Sequence, residues 1–119
     1  MERRRIREWA KDNLVITGVT VFRIELKTPI GFTNNGIKEA LNQPHNHYQE
    51  KNLSIMAIVR LIETAIYEGT AIDMKGTCLQ FHYFKTTINN DDSFIVVKEN
   101  YDGTHVFYTI VDRIKQEKH

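Results

Sequence analysis

Apolar residues near the start of the chain recur with helical spacing. Ile6, Trp9, Ala10 and Leu14 follow the i, i+3, i+4, i+8 pattern of one helix face. Cations surround them, so the pattern predicts a short amphipathic helix. Because the pattern changes directly afterwards, we interpret residues 1–14 as a linker helix and residues 15–119 as a single domain.

The next segment has the composition of a β-strand. Between Val15 and Leu26, β-branched and aromatic residues predominate. Thr28-Pro29 and Gly31 would end the strand, because proline and glycine interrupt strand pairing. The pattern therefore predicts one strand within residues 15–26.

Two helices are predicted to follow. Thr33 to Gly36 supplies N-cap candidates for a short helix over Ile37–Leu41. Pro44 favours a corner between this helix and the next one. The second helix should extend from about His45 to Glu68, because an apolar stripe continues to Ile66 and Gly69 is a common C-terminal stop.

The last third of the chain predicts an antiparallel meander. Strands are expected over Leu79–Ile88, Ser93–Glu99 and His105–Val111, joined by Asn- and Asp-rich turns. Together with the preceding elements, this order predicts an α+β fold. N-terminal helices would pack on one face of an antiparallel sheet of about four strands.

Composition limits the function classes. The 119 residues are 41% hydrophobic and 26% charged, which is ordinary for a globular domain. A net charge of +1 argues against salt-driven wrapping of a long nucleic acid. The single cysteine leaves only metal sites built from histidines and carboxylates. No segment approaches the roughly 18 apolar residues of a membrane helix, so no membrane contact is expected.

The first candidate site is the segment Asn42–Lys51 at the start of the predicted second helix. It combines two imidazoles, a phenol and an ammonium near free backbone N–H groups, which favours a phosphate site. The alternative is a solvated helix surface. His45 and His47 would point about 200° apart on a helix, so they could chelate one metal ion only if the segment were extended.

The second candidate site is the strand segment Phe81–Thr87. Strand alternation gives one face Tyr83 and Lys85, and the other face His82 and Thr86. Either face could supply a general acid or base beside a cation. The alternative is cross-strand packing of the aromatic side chains, with their polar tips at the edge of the sheet.

Three segments, Asn35–Lys51, Phe81–Ile88 and Asp92–Lys98, carry a resemblance to a known family. They resemble a toxin-type module of phage head-morphogenesis proteins and of mobile-element polyvalent proteins. That module is grouped with the barnase/EndoU/colicin/RelE-like ribonucleases. The resemblance implies helices packed on an antiparallel sheet. It also implies metal-independent RNA cleavage without a cofactor, in which the ribose 2′-hydroxyl attacks the adjacent phosphate to give a cyclic phosphate.

The resemblance also implies site residues. His45 or His47 would be the acid or base, Lys85 the phosphate cation, and His82 or Tyr83 the second proton carrier. The remaining matching residues, which would bind substrate, are Tyr48, Lys51 and Thr86.

The partners implied by the resemblance are an RNA substrate, an immunity or antitoxin protein and a parent phage head-morphogenesis polypeptide. The location would be the bacterial cytoplasm or the phage particle. Two alternatives stay open. One is an inactive interaction or packaging-associated domain, and the other is an RNA-binding module without catalysis.

Overall fold

Four short helices and a five-stranded sheet form the protein in the computed structural model, which describes residues 2–114. The helices are α1 (Arg3–Ala10), α2 (Asn34–Asn42), α3 (Tyr48–Ser54) and α4 (Ile58–Thr64). The strands are β1 (Ile30–Gly31), β2 (Ile66–Ile72), β3 (Gln80–Ile88), β4 (Asp91–Glu99) and β5 (His105–Val111). A π-helical turn, Lys11–Val15, continues α1, and a 3-10 turn, Ile55–Ala57, joins α3 to α4.

The strand order in the sheet is β1-β5-β4-β3-β2. Strands β2 to β5 form an antiparallel meander, whereas the two residues of β1 pair in parallel with the start of β5. The predicted α+β class and the three C-terminal strands are confirmed. The expected sheet of about four antiparallel strands is a mixed sheet of five.

The hydrophobic core lies between the helices and one face of the sheet. Fully buried isoleucines from α1, α2 and α4 meet Phe84, Ile95 and Phe107 of the three central strands. Each such side chain contributes about 1.5–3 kcal/mol through removal of apolar surface from water. Along β3 the buried residues alternate with Phe81 and Tyr83, which therefore lie on the opposite face of the sheet.

The strand predicted over residues 15–26 is wrong. Val15 ends the π-helical turn, and only Val21 forms a bridge, with Ile30. The side chains of Phe22 and Ile24 are 65% and 86% exposed, so the apolar residues of this segment do not form one buried face. Strand composition without a neighbouring strand to pair with is not sufficient for a β-strand.

The long helix predicted from His45 to Glu68 is also wrong in its bounds. The helical path begins at Tyr48 and ends at Thr64, and the edge strand β2 occupies the predicted last turn. Arg23 accounts for this end, because its Nη1 donates to the Ile62 and Ala65 carbonyls at 2.7 and 2.5 Å. Gly69 lies inside β2 at a φ of +108°, where the register with β3 shifts.

The short helix predicted over Ile37–Leu41 is confirmed as part of α2. Thr33 is its N-cap, and the Thr33 hydroxyl accepts a hydrogen bond from the Gly36 N–H at 3.0 Å. The linker boundary at residue 14 stays a prediction, although Ile6 and Ala10 of α1 are fully buried in the common core. Residues 115–119 of the predicted domain lie outside the described residues. Within residues 2–114, no helix combines the length and apolar character that a bilayer crossing requires.

Candidate functional site

A cavity of about 560 Å³ opens on the sheet face that points away from the core. Its floor consists of side chains from β3, β4 and β5, and its walls are the α2–α3 connection and the segment after β5. The lining residues are Gln43, Pro44, His45, Asn46, Phe81, Tyr83, Val96, Tyr108, Thr109, Val111, Asp112 and Arg113. This volume is within the range of about 300–1,000 Å³ that is usual for small-ligand sites.

The floor of the cavity is aromatic. The rings of Phe81 and Tyr108 lie 5.4 Å apart between centroids, and Tyr83 follows Phe81 on the same face of β3. These three residues also line a neighbouring depression of about 620 Å³, so the aromatic floor continues past the first cavity. The ammonium of Lys98 lies 5.5 Å from the Tyr108 ring centroid, which brings a cation to this floor.

Several hydroxyl groups face this part of the sheet. Burial raises the pKa of Tyr83 and of Tyr108, so both phenols remain protonated at neutral pH and can donate hydrogen bonds. The hydroxyl of Thr109 is buried and has no hydrogen-bond partner among residues 2–114. A buried polar atom without a partner is costly.

His45 lies at the end of the cavity nearest α3. The backbone N–H of His47 donates to its Nδ1 at 2.8 Å, so the ring proton is on Nε2 and donates to the Ser93 hydroxyl at 3.0 Å. Burial lowers the pKa of His45, which favours this neutral form. Both ring nitrogens are thus used within the protein.

His47 does not line the cavity. Its Nε2 lies 2.5 Å from an Asp91 carboxylate oxygen, and its Nδ1 lies 3.0 Å from the Asn89 side-chain nitrogen. His45 and His47 precede α3, so the predicted opposition on a helix does not apply. Their ring centroids are 6.1 Å apart, but protein groups already occupy the nitrogens that a shared metal ion would need.

The predicted catalytic residues of β3 lie on two faces of the sheet. Tyr83 lines the cavity, and Lys85 is on the same face but pairs with Asp92 at 3.5 Å. His82 is buried on the helix side, where its Nε2 lies 2.7 Å from Glu99. The structure therefore brings His45 and Tyr83 together and separates both from His82.

Thr86 lies opposite Ser93 in the β3–β4 ladder, on the same side of the strand as His82 and Phe84. This side is the face toward the helices. Thr86 is therefore not on the strand face that carries Tyr83, and its predicted role in substrate binding stays a prediction.

Tyr48 and Lys51 make contacts within the fold. The Lys51 ammonium is fully buried, donates to the carbonyls of Ala40 and Leu41, and lies 4.6 Å from the Tyr48 ring centroid. The Tyr48 hydroxyl donates to the Leu41 carbonyl at 2.7 Å. Burial lowers the pKa of Lys51 to about 8. Both side chains thus bind the C-terminal carbonyls of α2, and their predicted contact with substrate stays a prediction.

The sequence reading missed several lining residues as members of the site. Strand alternation does place Phe81 on the face of Tyr83, but Phe81 was not predicted to be a site residue. The contribution of Tyr108, Thr109 and Arg113 depends on the β4–β5 register, which shifts at Val96. No local sequence pattern indicates that shift.

Fold and site together define a class of protein: an α+β domain with helices on one sheet face and a ligand-sized, aromatic-floored cavity on the other. The chain belongs to the family described as large polyvalent protein-associated domain 3, whose model matches residues 1–109. Membership supports the expected association with polyvalent proteins. Comparisons with curated proteins and with solved structures gave no significant match.

Proposed function

We propose that the open face of the sheet binds single-stranded RNA. The observation that carries this proposal is the aromatic floor of Phe81, Tyr83 and Tyr108 beside the cation of Lys98. Proteins bind single strands by stacking bases on such rings, and each stacked base is worth about 1–3 kcal/mol. Arg113 on the cavity wall adds a second cation for a phosphate.

Polar groups around the floor suit an unpaired nucleotide. The protonated phenols of Tyr83 and Tyr108 can bond to base edges or to ribose hydroxyls. The parent would be a larger polyvalent polypeptide of phage or mobile-element origin, in which this module holds RNA. The family description supports the polyvalent part of this assignment.

Binding of a fluorescent single-stranded RNA tests the proposal. We expect Phe81→Ala combined with Tyr108→Ala to weaken binding by at least tenfold, because two stacking surfaces are lost. Tyr101→Ala is the matched control, since Tyr101 is an aromatic residue in the β4–β5 turn and is 68% exposed. Equal binding by the double variant and the wild type would contradict the proposal, as would the absence of any binding by the wild type.

A second candidate is metal-independent cleavage of the bound RNA. The supporting observation is that His45 and Tyr83 line one cavity. A base would take the proton of the 2′-hydroxyl, whose oxygen attacks phosphorus. The bond to the 5′-oxygen breaks, and the leaving alcohol takes a proton from the acid. The lone pair of neutral His45 is on Nδ1, which accepts the His47 N–H, so His45 would have to give up that bond to act as the base. Binding without cleavage is therefore the better supported function.

Cleavage of end-labelled RNA in excess EDTA distinguishes the two candidates. An RNase should release fragments ending in cyclic phosphate, and His45→Ala or Tyr83→Phe should abolish their release. The same assay tests the predicted roles of His47, His82 and Lys85 by alanine substitution. RNA that is retarded in a gel but stays intact would support binding and exclude the nuclease.

A further inference from the structure

We propose that His82, Glu99 and His105 form a binding site for a divalent transition-metal ion. One donor atom from each residue lies within 4.8 Å of the other two. The three residues come from β3, β4 and β5, which are adjacent in the sheet. They lie on the helix side, so this site is separate from the cavity and does not depend on the proposed RNA binding.

One of the donor separations already matches that of a tetrahedral ion, and a second is shorter. Nε2 of His82 lies 2.7 Å from Oε1 of Glu99, and Nε2 of His105 lies 3.3 Å from the same oxygen. Zinc ligands at about 2.0–2.1 Å in tetrahedral geometry are separated by about 3.3–3.4 Å. An ion therefore requires the pair of His82 and Glu99 to open by about 0.6 Å, and it requires the two histidine nitrogens, which lie within 4.8 Å of each other, to be about 3.3–3.4 Å apart.

The outer nitrogen of each histidine has an oxygen partner. Nδ1 of His82 lies 2.9 Å from the Tyr67 hydroxyl, and Nδ1 of His105 lies 2.6 Å from the Thr28 hydroxyl. Metal-binding histidines commonly have such a second hydrogen bond, because it fixes the ring orientation and leaves the inner nitrogen free. Both inner nitrogens here point toward Glu99.

Hydrogen-bond donors and acceptors around His105 also point to a cation. Thr28 donates its single hydroxyl proton to the Gly103 carbonyl at 2.9 Å, so Nδ1 of His105 is the donor to Thr28. The neutral ring then has a lone pair on Nε2, which faces the Glu99 carboxylate. The same carboxylate oxygen accepts a hydrogen bond from the Gln80 side-chain amide at 3.0 Å, but a proton or a metal ion is favoured between it and the lone pair of His105.

A carboxylate and two imidazoles are donors that suit zinc and related ions. The two histidine side chains are 6% and 4% exposed, and the 17% exposure of Glu99 leaves a route for entry. The bound ion would join three strands directly. Through Thr28 and Tyr67 it would also hold the segment before β1 and the edge strand β2.

Zinc binding to the full chain, first stripped with EDTA, tests the proposal. Calorimetry should give one zinc ion per chain, and zinc should raise the Tm of the wild type. Cobalt should give the visible absorption of a tetrahedral site. Glu99→Gln keeps the shape of the side chain and should lose all three signals, as should His105→Ala. The matched control, His45→Ala with His47→Ala, removes two histidines elsewhere and should keep them.

A variant of the outer contacts gives an independent check. Tyr67→Phe removes only the hydroxyl behind His82 and should weaken zinc binding by about 10–100-fold. The proposal is overturned if the wild type binds no stoichiometric zinc, which would assign the position between His105 and Glu99 to a proton. It is equally overturned if Glu99→Gln, folded by circular dichroism, binds zinc as well as the wild type does.

Discussion

Two side chains with charges typical of a protein surface instead bind the ends of helices. The Lys51 ammonium bonds to the last carbonyls of α2, and the Arg23 guanidinium bonds to those at the end of α4. Cations are favoured at helix C-termini, where carbonyl groups lack partners and the helix dipole is negative. Both side chains therefore supply hydrogen bonds at a chain reversal on which the following elements depend.

Removal of the Lys51 ammonium should destabilise the domain. Lys51→Met keeps the apolar stem but leaves a buried carbonyl of α2 without its donor, which costs about 1–3 kcal/mol. Urea unfolding at pH 7 measures the change. Lys38→Met is the control, because Lys38 is an exposed lysine of α2. It should change stability by no more than about 0.5 kcal/mol.

The same residue should give stability a dependence on alkaline pH. The pKa of Lys51 is about 8 in the folded chain and near 10.5 when unfolded, so the unfolded chain binds more protons between these values. The contribution of Lys51 to the free energy of unfolding should therefore rise as pH increases from 8 to 10.5. Urea unfolding across this range should show a smaller rise for Lys51→Met than for wild type. Parallel curves would contradict the prediction.

At the scale of elements, the sequence predicted correctly those strands that pair with a neighbour close in the chain. Strands β3, β4 and β5 are joined by short turns, and Asn89 and Asn90 adopt the positive φ that a tight hairpin needs. Residues 66–68 at the start of β2 were assigned to a predicted helix, because residues 62, 65 and 66 also match helical spacing, and no strand was predicted over the rest of β2. Pairing with β3 and the hydrogen bonds of Arg23 to the end of α4 favour the strand over a longer helix. Both are contacts between residues far apart in the sequence.

Close packing of α2 on β5 makes Gly36 a sensitive position. A Cβ atom at Gly36 would lie 2.1 Å from the Phe107 carbonyl oxygen, so helix and strand would have to separate. We expect Gly36→Ala to lower the free energy of unfolding by about 1–3 kcal/mol, although alanine normally favours helices. Thermal unfolding measures the change, and Glu39→Ala on the same helix is the control. A more stable Gly36→Ala would contradict the packing.

At the scale of the whole molecule, α1 supplies core residues although its sequence is that of a charged linker. Ile6 and Ala10 are both fully buried beside residues of α2 and the 3-10 turn. A chain without residues 1–14 should therefore lose its cooperative thermal transition. Ile6→Ala should cost about 2–5 kcal/mol in the intact chain. A stable truncated chain would support the linker interpretation instead.

The charge distribution predicts how salt should affect RNA binding. The net charge is +1, and the cations near the aromatic floor are few, with Lys85 already paired to Asp92. If about two phosphates are contacted, through Lys98 and Arg113, log K should fall with log salt with a slope of about −1.4. Fluorescence anisotropy at several salt concentrations measures this slope. A slope several times steeper would place the RNA on another surface.

The site could be predicted only in part, because strand register and chain path bring its residues together from distant segments. The residue types correctly indicated His45 and Tyr83, which line the same cavity. His82 and Tyr83 were predicted as alternative proton carriers on opposite strand faces, and the residue types alone did not indicate which face would meet His45. Arg113 and Thr109 reach the cavity through the register of β5 with β4, which shifts at Val96.

The parallel pairing of β1 with β5 has a consequence for biosynthesis. Ile30 lies opposite His105, and Gly36 touches the backbone at Phe107, so the first third of the chain packs against its last strand. A ribosome would release α1, β1 and α2 well before β5 exists. Their apolar faces therefore lack their β5 contacts in the nascent chain until residues 105–111 emerge.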